Sequence, residues 1–256
     1  MRLGERVRAD LVATTRFRDI RHFDQIDSTN RWLRKEADAG APEGLVVVAE
    51  HQTAGRGRLG RSWEAPPGSG LIVSVLLRPE DLDVARYHLL TAATGLAARS
   101  ACFEVGGFTP ELKWPNDLLV DGAKLAGILA EASGGAVVVG MGLNLSAAPP
   151  GAATAQAAAR GGVGRDELLC AFLMRLDGLL GAWEAVADAY RAACVTVGLR
   201  VRVELHDRDF IGTAEAVDDD GRLVVAPDGG GPAVAVAAGD VVHLRSADGA
   251  ARTLGR

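Results

Sequence analysis

Two short runs of consecutive apolar residues constrain the fold of this chain more than any other feature. Residues 45–50 read LVVVAE and residues 71–77 read LIVSVLL, so each run has the length of a strand and is rich in β-branched residues. Continuous apolar runs of this length indicate strands that are buried within a sheet. The chain contains no apolar run of the roughly 18 residues that indicate a membrane-spanning helix, so we expect no membrane partner.

Apolar periodicity elsewhere predicts helices packed against a mixed β-sheet. Apolar residues at helical spacing predict helices over residues 84–102, 165–183 and 185–195. The polar residues 27–30 offer N-cap oxygens for a further helix, which Gly40 ends. Further strands are predicted at residues 21–26, 111–114, 117–120, 124–132 and 136–143.

After Gly198 the pattern changes to short alternating runs that are separated by Asp and Gly. These runs are residues 201–205, 210–217, 223–226, 234–237 and 241–244. Such spacing is typical of a small β-barrel. We therefore expect an α+β protein with two domains, residues 1–197 and residues 198–256, in which residues 1–20 form an extension and residues 147–163 a loop.

Charge and cysteine content exclude several functional classes. The chain carries 28 Lys and Arg against 33 Asp and Glu, a formal net charge of −5, which disfavours a nucleic-acid coat. Its three cysteines are odd in number and lack CxxC spacing, which excludes a disulfide framework and indicates a reducing, cytoplasmic location. The five histidines show no metal-ligand spacing, so no metal-binding residues are expected.

The loop between the two apolar runs carries the strongest candidate for ligand binding. Residues 55–61 read GRGRLGR, with three arginines and no acid. Their G-x-G-x-x-G spacing matches a dinucleotide fingerprint, but Gly60 leads into RSWEAPP rather than a helix, so a Rossmann site is disfavoured. Glycine lets a backbone approach a ligand closely, and arginine binds carboxylate or phosphate through two hydrogen bonds. We expect this loop to bind an anion, and a solvated basic turn is the alternative.

Further polar segments lie where helices or strands begin or end. Residues 28–30 (STN) precede a helix, where they either cap it or bind polar ligand atoms. Pro115 interrupts KWPND at residues 113–117, which places Asn and Asp at a bend. Lys124 lies in an apolar stretch and needs a partner unless it faces solvent from an edge strand. Glycines in residues 140–144 (GMGLN) serve close packing or leave room for a ligand.

Taken together and in this order, these segments closely resemble the biotin protein ligases. They are STN at 28–30, QTAGRGRLGRSW at 52–63, KWPND at 113–117, KLAGIL at 124–129 and GMGLN at 140–144. The resemblance extends over about residues 22–145, and the chain length and the β-rich tail fit the rest of such a protein. It implies an α+β fold in which a mixed β-sheet catalytic domain flanked by helices precedes a small C-terminal SH3-like β-barrel.

The resemblance implies an ATP-dependent enzyme that works in two half-reactions. Biotin and MgATP give biotinyl-5′-AMP and pyrophosphate, and the adenylate then acylates one lysine of a biotin carboxyl carrier protein domain. Some family members also have an N-terminal DNA-binding domain, whereas this chain, with only 20 residues before its first predicted strand, resembles the ligase-only form without a nucleic-acid partner. A monomer or weak homodimer is expected, as in other family members.

The resemblance also implies roles for individual residues. Lys124 is expected to bridge the biotin carboxylate and the α-phosphate, Arg58 to hold the adenylate, and Asp117 to act as a base toward the acceptor lysine. The expected biotin-binding residues are Ser28, Thr29, Asn30, Gln52, Gly55, Arg56, Gly57, Arg58, Lys124, Gly127, Ile128 and Leu129. The expected residues for adenylate and ATP are Arg58, Arg61, Trp63, Asn116, Lys124 and Asn144.

Two alternatives stay open from the sequence. A lipoate or octanoate protein ligase would share the fold, but it binds a plain aliphatic acid and needs no residues for a urea, whereas Gln52 and residues 28–30 favour biotin. A non-catalytic ligand-binding relative would use residues 198–246 as an interaction module. Loss of Lys124 or of the loop arginines would be expected in such a relative, and all of them are present.

Overall fold

The computed structural model describes residues 11–205, 208–237 and 240–243, which form two β-sheets with helices packed on the first. The strands are β1 (Asp19–Phe23), β2 (Leu45–Ala49), β3 (Gly70–Leu77), β4 (Glu111–Lys113), β5 (Asp117–Val120), β6 (Ala123–Ser133), β7 (Ala136–Asn144), β8 (Arg200–Glu204), β9 (Asp209–Val217), β10 (Leu223–Pro227), β11 (Val234–Val236) and β12 (Asp240–His243). The helices are α1 (Thr29–Asp38), α2 (His88–Gly106), α3 (Ala155–Ala158), α4 (Arg165–Leu179) and α5 (Trp183–Ala193). Residues 1–10 of the expected extension, and residues 244–256 of the expected second domain, lie outside the described residues.

The first sheet has seven strands in the order β1-β2-β3-β7-β6-β5-β4, and it is mixed as predicted. β1 pairs with β2 in parallel, and the other neighbours are antiparallel. Every residue of β2 and β3 is buried, because their residues enter either a small core that includes α1 or a larger core that includes α2. Alternate residues of β2 accordingly enter two cores, with Leu45 and Val47 beside α1 and with Val46 and Val48 in the larger core. The continuous apolar runs are therefore strands buried on both faces.

Local signals set most helix boundaries. Ser28 caps α1, and its side-chain oxygen accepts a hydrogen bond from the Arg31 backbone N–H. The predicted helix at residues 84–102 is instead a separate 3-10 turn at Val84–Arg86 followed by α2. α2 continues to Gly106, and Gly107 ends it in the left-handed region at φ 68°.

Two other predicted boundaries were wrong by a few residues. α4 ends at Leu179 rather than residue 183, because Gly181 adopts a φ of 97° that breaks the helix. The next helix consequently begins at Trp183 rather than residue 185. The expected loop at residues 147–163 contains the short helix α3, which the Thr154 side chain caps.

A tight hairpin joins β5 to β6 and fixes the position of the KLAGIL segment. Its turn residues Asp121 and Gly122 both have positive φ, 50° and 76°, as a two-residue type I′ turn requires. Asp117 pairs with Gly127 across the hairpin. The KWPND and KLAGIL segments are thereby held side by side, as the Asp-Gly signal predicted.

The second sheet has the order β11-β10-β9-β8-β12 and is entirely antiparallel. Its strands alternate buried and exposed residues, so only one face is covered. The predicted β-rich C-terminal unit is confirmed, but within the described residues no pairing joins β11 to β12, so these strands form an open sheet rather than a closed barrel.

The turn between β9 and β10 attaches the second sheet to the first part of the chain. Trp114 Nε1 donates to the Gly221 carbonyl at 3.0 Å, and Arg191 pairs with Asp219 at 2.7 Å. Trp114 is only 2% exposed, so this contact is a buried one. None of the helices in the described ranges is both long and apolar enough to cross a membrane.

Candidate active site

One cavity of about 220 Å³ collects most of the residues that the sequence singled out. The predicted residues that line it are Ser28, Thr29, Asn30, Gln52, Arg56, Gly57, Arg58, Arg61, Trp63, Asn116, Asp117, Lys124, Gly127, Ile128 and Leu129. Gly55 and Asn144 are not among the lining residues. The cavity lies where the start of α1, the arginine loop, the β5–β6 hairpin and β7 meet, so four separate parts of the chain converge.

Other lining residues were absent from the predicted set. They are Ser62, Ile72, Lys113, Trp114, Pro115, Gly140, Met141, Gly142, Val241 and Val242. Several of these residues lie inside motifs that the sequence analysis identified, such as KWPND and GMGLN. The predicted site residues beside them in those motifs were the sequence signal that could have found them. Val241 and Val242 belong to β12 of the second sheet, and no sequence signal distinguishes them from other alternating valines.

One end of the cavity, which we call the neutral end, consists of Thr29, Asn30 and Gln52, which line it, and of the buried Ser74, which contacts Thr29 and Asn30 without lining the cavity. The Thr29 backbone N–H donates to Gln52 Oε1 at 2.8 Å, and Thr29 Oγ1 lies 3.0 Å from the same oxygen. Ser74 Oγ lies 2.7 Å from both Thr29 Oγ1 and Asn30 Oδ1. Because Gln52 Oε1 is held by the Thr29 backbone, the Gln52 amide nitrogen is directed away from Thr29.

Two glycines make this arrangement possible by lacking a side chain. A Cβ at Gly140 would overlap the Asn30 side-chain oxygen and come within 3.0 Å of Ser74 Oγ. A Cβ at Gly55 would overlap the Trp63 carbonyl and meet Gln52 Nε2 at 2.9 Å. Gly55 therefore acts on the neutral end through Gln52 rather than by lining the cavity itself.

The opposite end, which we call the charged end, consists of Arg58, Lys113, Asp117 and Lys124. Lys124 Nζ lies 2.6 Å from Asp117 Oδ1 and 6.0 Å from the centre of the Trp63 ring. The Lys124 side chain is 42% exposed, so solvent screens this ion pair. The predicted need of Lys124 for a partner is thus met by Asp117, and its ammonium stays accessible to a ligand.

Asn116 and Asn144 hold backbone at this end of the cavity. Asn116 Nδ2 donates to the Ile128 carbonyl at 2.7 Å, which links the KWPND and KLAGIL segments. Asn144 is 2% exposed, and its Nδ2 donates to the carbonyls of Lys124 at 3.3 Å and of Ala153 at 3.1 Å. The structure thus places the Asn144 side chain behind the Lys124 backbone, and its expected role toward the adenylate stays a prediction.

The arginine loop is folded back on itself over the cavity. Gly57 N–H donates to the Arg61 carbonyl at 2.7 Å, and Trp63 N–H donates to the Gly55 carbonyl at 3.0 Å. The indole of Trp63 occupies the space that a side chain at Gly142 would need. No helix follows Gly60, as the sequence analysis expected when it disfavoured a Rossmann site.

A small cavity behind the charged end brings Arg58 close to His88, Trp114, Tyr190 and Gly221. Burial lowers the pKa of His88, and the neighbouring Arg58 charge lowers it further. Burial also raises the pKa of the Tyr190 phenol well above its usual value. This region therefore favours uncharged side chains next to the arginine.

Comparison with known proteins matches the chain to two family models. Residues 22–146 match the biotin/lipoate A/B protein ligase family, and residues 196–244 match the biotin protein ligase C terminal domain. A biotin--[acetyl-CoA-carboxylase] ligase of Mycobacterium tuberculosis is 42% identical over 86% of this chain and 87% of its own length. The bifunctional ligase/repressor BirA of Bacillus subtilis is 31% identical over 80% of this chain and 68% of its own length.

Solved structures give the same result for the fold. A biotin protein ligase from Aquifex aeolicus in complex with biotin and ATP matches with a TM-score of 0.77 and 24% identity, covering 89% of this chain and 100% of the other. A biotin protein ligase from Leishmania major in complex with biotinyl-5-AMP matches with a TM-score of 0.63 and 25% identity, covering 89% and 99%.

Proposed function

The chain belongs to the biotin protein ligases, and we propose that its cavity binds biotin through the neutral end and ATP through the charged end. The enzyme activates biotin with ATP as biotinyl-5′-AMP and transfers it to a lysine of a biotin carboxyl carrier protein. The observation that carries the proposed assignment is that one cavity is lined both by Lys124 and Asp117 of the charged end and by Thr29 and Gln52 of the neutral end.

The neutral end suits a cyclic urea. A urea ring offers two N–H donors beside one carbonyl acceptor, and it needs partners of both kinds. Gln52 Nε2 supplies a donor, and Thr29 Oγ1 supplies an oxygen within the same hydrogen-bonded group. The apolar side chains of Ile72, Ile128 and Met141 line the cavity and suit the remaining hydrocarbon and thioether surface of biotin.

The charged end suits the first half-reaction. A carboxylate oxygen of biotin forms a bond to the α-phosphorus of ATP while the bond to the β-phosphate oxygen breaks, and pyrophosphate leaves. Both reactants are anions, and two unit charges 4 Å apart repel by about 4 kcal/mol at the dielectric near a protein surface. The positive charges of Arg58, Lys113 and Lys124 line the cavity, where they offset this repulsion and stabilise the developing charge.

Mg²⁺ accompanies ATP in this proposal. The described residues contain no group of three or more His, Cys, Asp and Glu that could hold a metal ion. Asp117 is the single acidic residue among the described residues that line the cavity. The phosphates of ATP would therefore supply most of the oxygen ligands that Mg²⁺ prefers, and the ion would reduce the phosphate charge.

The second half-reaction requires a neutral lysine. At pH 7.4 roughly one in a thousand molecules of an unperturbed lysine with a pKa of about 10.4 is uncharged. The Asp117 carboxylate lines the cavity beside Lys124 and is placed to accept the proton as the amine attacks the acyl carbonyl and AMP leaves.

The domain division, the quaternary state and the cellular location are part of the same proposal. The boundary near Gly198 is supported by the first strand of the second sheet, which begins at Arg200. A monomer or weak homodimer without a nucleic-acid partner agrees with the net charge of −5. The three cysteines form no disulfide with one another, which agrees with the proposed reducing, cytoplasmic location.

Exchange of labelled pyrophosphate into ATP tests the function directly. We expect exchange that requires biotin, because formation of biotinyl-5′-AMP is reversible and releases pyrophosphate. Lipoate and octanoate serve as matched acids that lack the urea. Exchange with either of these instead of biotin would move the chain to the sister activity, and no exchange with any acid would favour a non-catalytic ligand-binding protein.

A further inference from the structure

The hydrogen bonds of the neutral end continue to a carboxylate outside the cavity. Asn30 Nδ2 donates to Glu131 Oε2 at 2.9 Å and to the Leu129 carbonyl at 3.1 Å. The other oxygen, Glu131 Oε1, accepts from Arg34 at 3.0 Å. Glu131 lies on β6 and is not among the residues that line the cavity.

These contacts determine which way the Asn30 amide points. Its nitrogen faces a carboxylate and a carbonyl, which only accept hydrogen bonds, so its oxygen must face Ser74. An amide oxygen cannot donate, and the contact to Ser74 Oγ is 2.7 Å long. The single hydroxyl hydrogen of Ser74 is therefore directed at Asn30.

The hydrogen of the Thr29 hydroxyl is directed at Gln52. Thr29 Oγ1 lies 2.7 Å from Ser74 Oγ and donates to Gln52 Oε1 at 3.0 Å, because an amide oxygen can only accept. Since the single Ser74 hydrogen is used on Asn30, Ser74 does not donate to Thr29. Both lone pairs of Thr29 Oγ1 then remain for a ligand N–H, while Gln52 presents an amide N–H beside them.

We propose that Glu131 is a positioning residue that selects for the urea of biotin by fixing, through Asn30 and Ser74, the Thr29 hydroxyl as an acceptor. The proposal rests on the proposed function, because it concerns the groups assigned there to the ureido ring. Without the Glu131 carboxylate, only the Leu129 carbonyl still holds the Asn30 amide nitrogen, so the amide rotates more readily and can donate to Ser74. Ser74 then donates to Thr29, whose oxygen must divide its lone pairs between Ser74 and biotin, so biotin binds more weakly.

The experiment compares Glu131→Gln with Arg34→Gln. Both substitutions break the same ion pair, but only Glu131→Gln removes a carboxylate oxygen from Asn30. We expect Glu131→Gln to weaken biotin binding by about tenfold, the scale of one lost charged hydrogen bond. Arg34→Gln should leave biotin affinity within about twofold, because Asn30 keeps its acceptor. Isothermal titration calorimetry with biotin and no ATP measures both affinities.

A second background tests whether Glu131 acts through Ser74. In Ser74→Ala the connection between Asn30 and Thr29 is absent, so adding Glu131→Gln should change biotin affinity by less than about twofold. In the pyrophosphate exchange assay Glu131→Gln should raise the KM for biotin and leave kcat and the KM for ATP unchanged. Glu131 is partly exposed, with a side chain 24% accessible, so its substitution does not threaten the fold even if Ser74→Ala does.

Three outcomes would overturn the proposal. Equal losses of biotin affinity in Glu131→Gln and Arg34→Gln would show that Glu131 acts only as the ion-pair partner of Arg34. Additive losses in the Ser74→Ala background would show that Glu131 acts by another route. A wild-type protein that neither binds biotin nor catalyses exchange would remove both this proposal and the proposed function, whereas normal wild-type exchange with an unaffected Glu131→Gln variant would remove this proposal alone.

Discussion

The two ends of the cavity differ in how their side chains are held in place: those of the neutral end are buried and hydrogen-bonded to each other, whereas Lys124 and the arginine loop at the charged end are accessible to solvent. At the neutral end Thr29, Asn30 and Ser74 are at most 6% exposed, and oxygen–oxygen contacts of 2.7 to 3.0 Å connect them to each other and to Gln52. At the charged end the Lys124 side chain is 42% exposed, and the neighbouring arginine loop exposes Leu59 at its tip by 67%.

This difference follows from what each end must do. A small neutral ring is recognised best by groups whose positions and hydrogen directions are set before it arrives. The charged end must admit ATP, release pyrophosphate and then admit a lysine of another protein, so accessible side chains on a loop and a hairpin suit it. Recognition and chemistry can therefore be separated by substitution, and the following predictions test that separation in order of decreasing effect.

Lys124→Met should produce the largest loss. We expect kcat for biotin-dependent pyrophosphate exchange to fall by about 10²–10³-fold, because the variant removes a positive charge from the site of the developing anion. Biotin affinity by calorimetry should fall much less than kcat, because the biotin carboxylate loses one positive partner while the neutral end stays intact. Lys35→Met is the control, because Lys35 is an exposed lysine on α1. Loss of biotin binding as large as the loss of kcat would break the division between the two ends.

Asp117→Asn should affect one half-reaction more than the other. Transfer of biotin from isolated adenylate to a carrier protein should slow by about 10²-fold, the lower scale of general base catalysis. Formation of adenylate should stay within a few-fold, and single-turnover measurements separate the two steps. Asp121→Asn, in the exposed hairpin turn of the same strand pair, is the matched control. Equal slowing of both steps would contradict the assignment of Asp117 as the base.

Gln52→Ala should act on recognition and not on chemistry. We expect the KM for biotin to rise by about tenfold through loss of one hydrogen-bonding group, with kcat within a few-fold. Any residual exchange with octanoate, which has no urea, should not weaken, so the ratio of biotin-dependent to octanoate-dependent exchange should fall. Gln156→Ala removes an equivalent amide that donates to the Val163 carbonyl far from the cavity. A fall in kcat without a change in KM would place Gln52 at the chemical step instead.

Substitution of His88, which lies in the small cavity behind the charged end, should have the smallest effect of the four variants. Burial and the Arg58 charge lower its folded-state pKa below the unfolded value of about 6.5. The unfolded chain therefore binds this proton first, and the stability of the folded protein declines as pH falls from the unfolded pKa toward the folded one. His88→Gln should flatten that part of the pH dependence of urea denaturation midpoints. An unchanged slope in His88→Gln would contradict a buried neutral His88.

The sequence predicted those elements whose cause lies in neighbouring residues. The apolar runs gave β2 and β3, and the Asp121–Gly122 pair gave the hairpin that places Asp117 beside Lys124. The motifs shared in order with the biotin protein ligases indicated which segments line the cavity. Helix ends were less well predicted, because a single glycine such as Gly181 outweighed apolar periodicity that continued past it.

What the sequence did not predict depends on contacts between distant segments. Ser74 lies inside an apolar strand and becomes part of the neutral end only because α1 packs across β3. Nothing in the sequence distinguishes Glu131 from the other acidic residues. Its contact with Asn30 exists only because the fold places β6 beside the start of α1. Asn144 ends a motif beside the cavity, yet its side chain turns toward the Lys124 backbone. Such roles are properties of the folded arrangement and have no local signature.

Strand β12 has a consequence for the synthesis of this enzyme. Val241 and Val242 form part of the cavity wall, whereas Thr29 and Asn30 of the opposite wall precede them by most of the chain. A ribosome makes the N-terminal wall first, and domains fold as they emerge. A nascent chain that already carries its lysine and arginines is thus still open on the side that β12 will cover. Full enclosure of the substrates is thereby tied to synthesis of the second sheet, so a chain that has not yet reached β12 has an incomplete cavity.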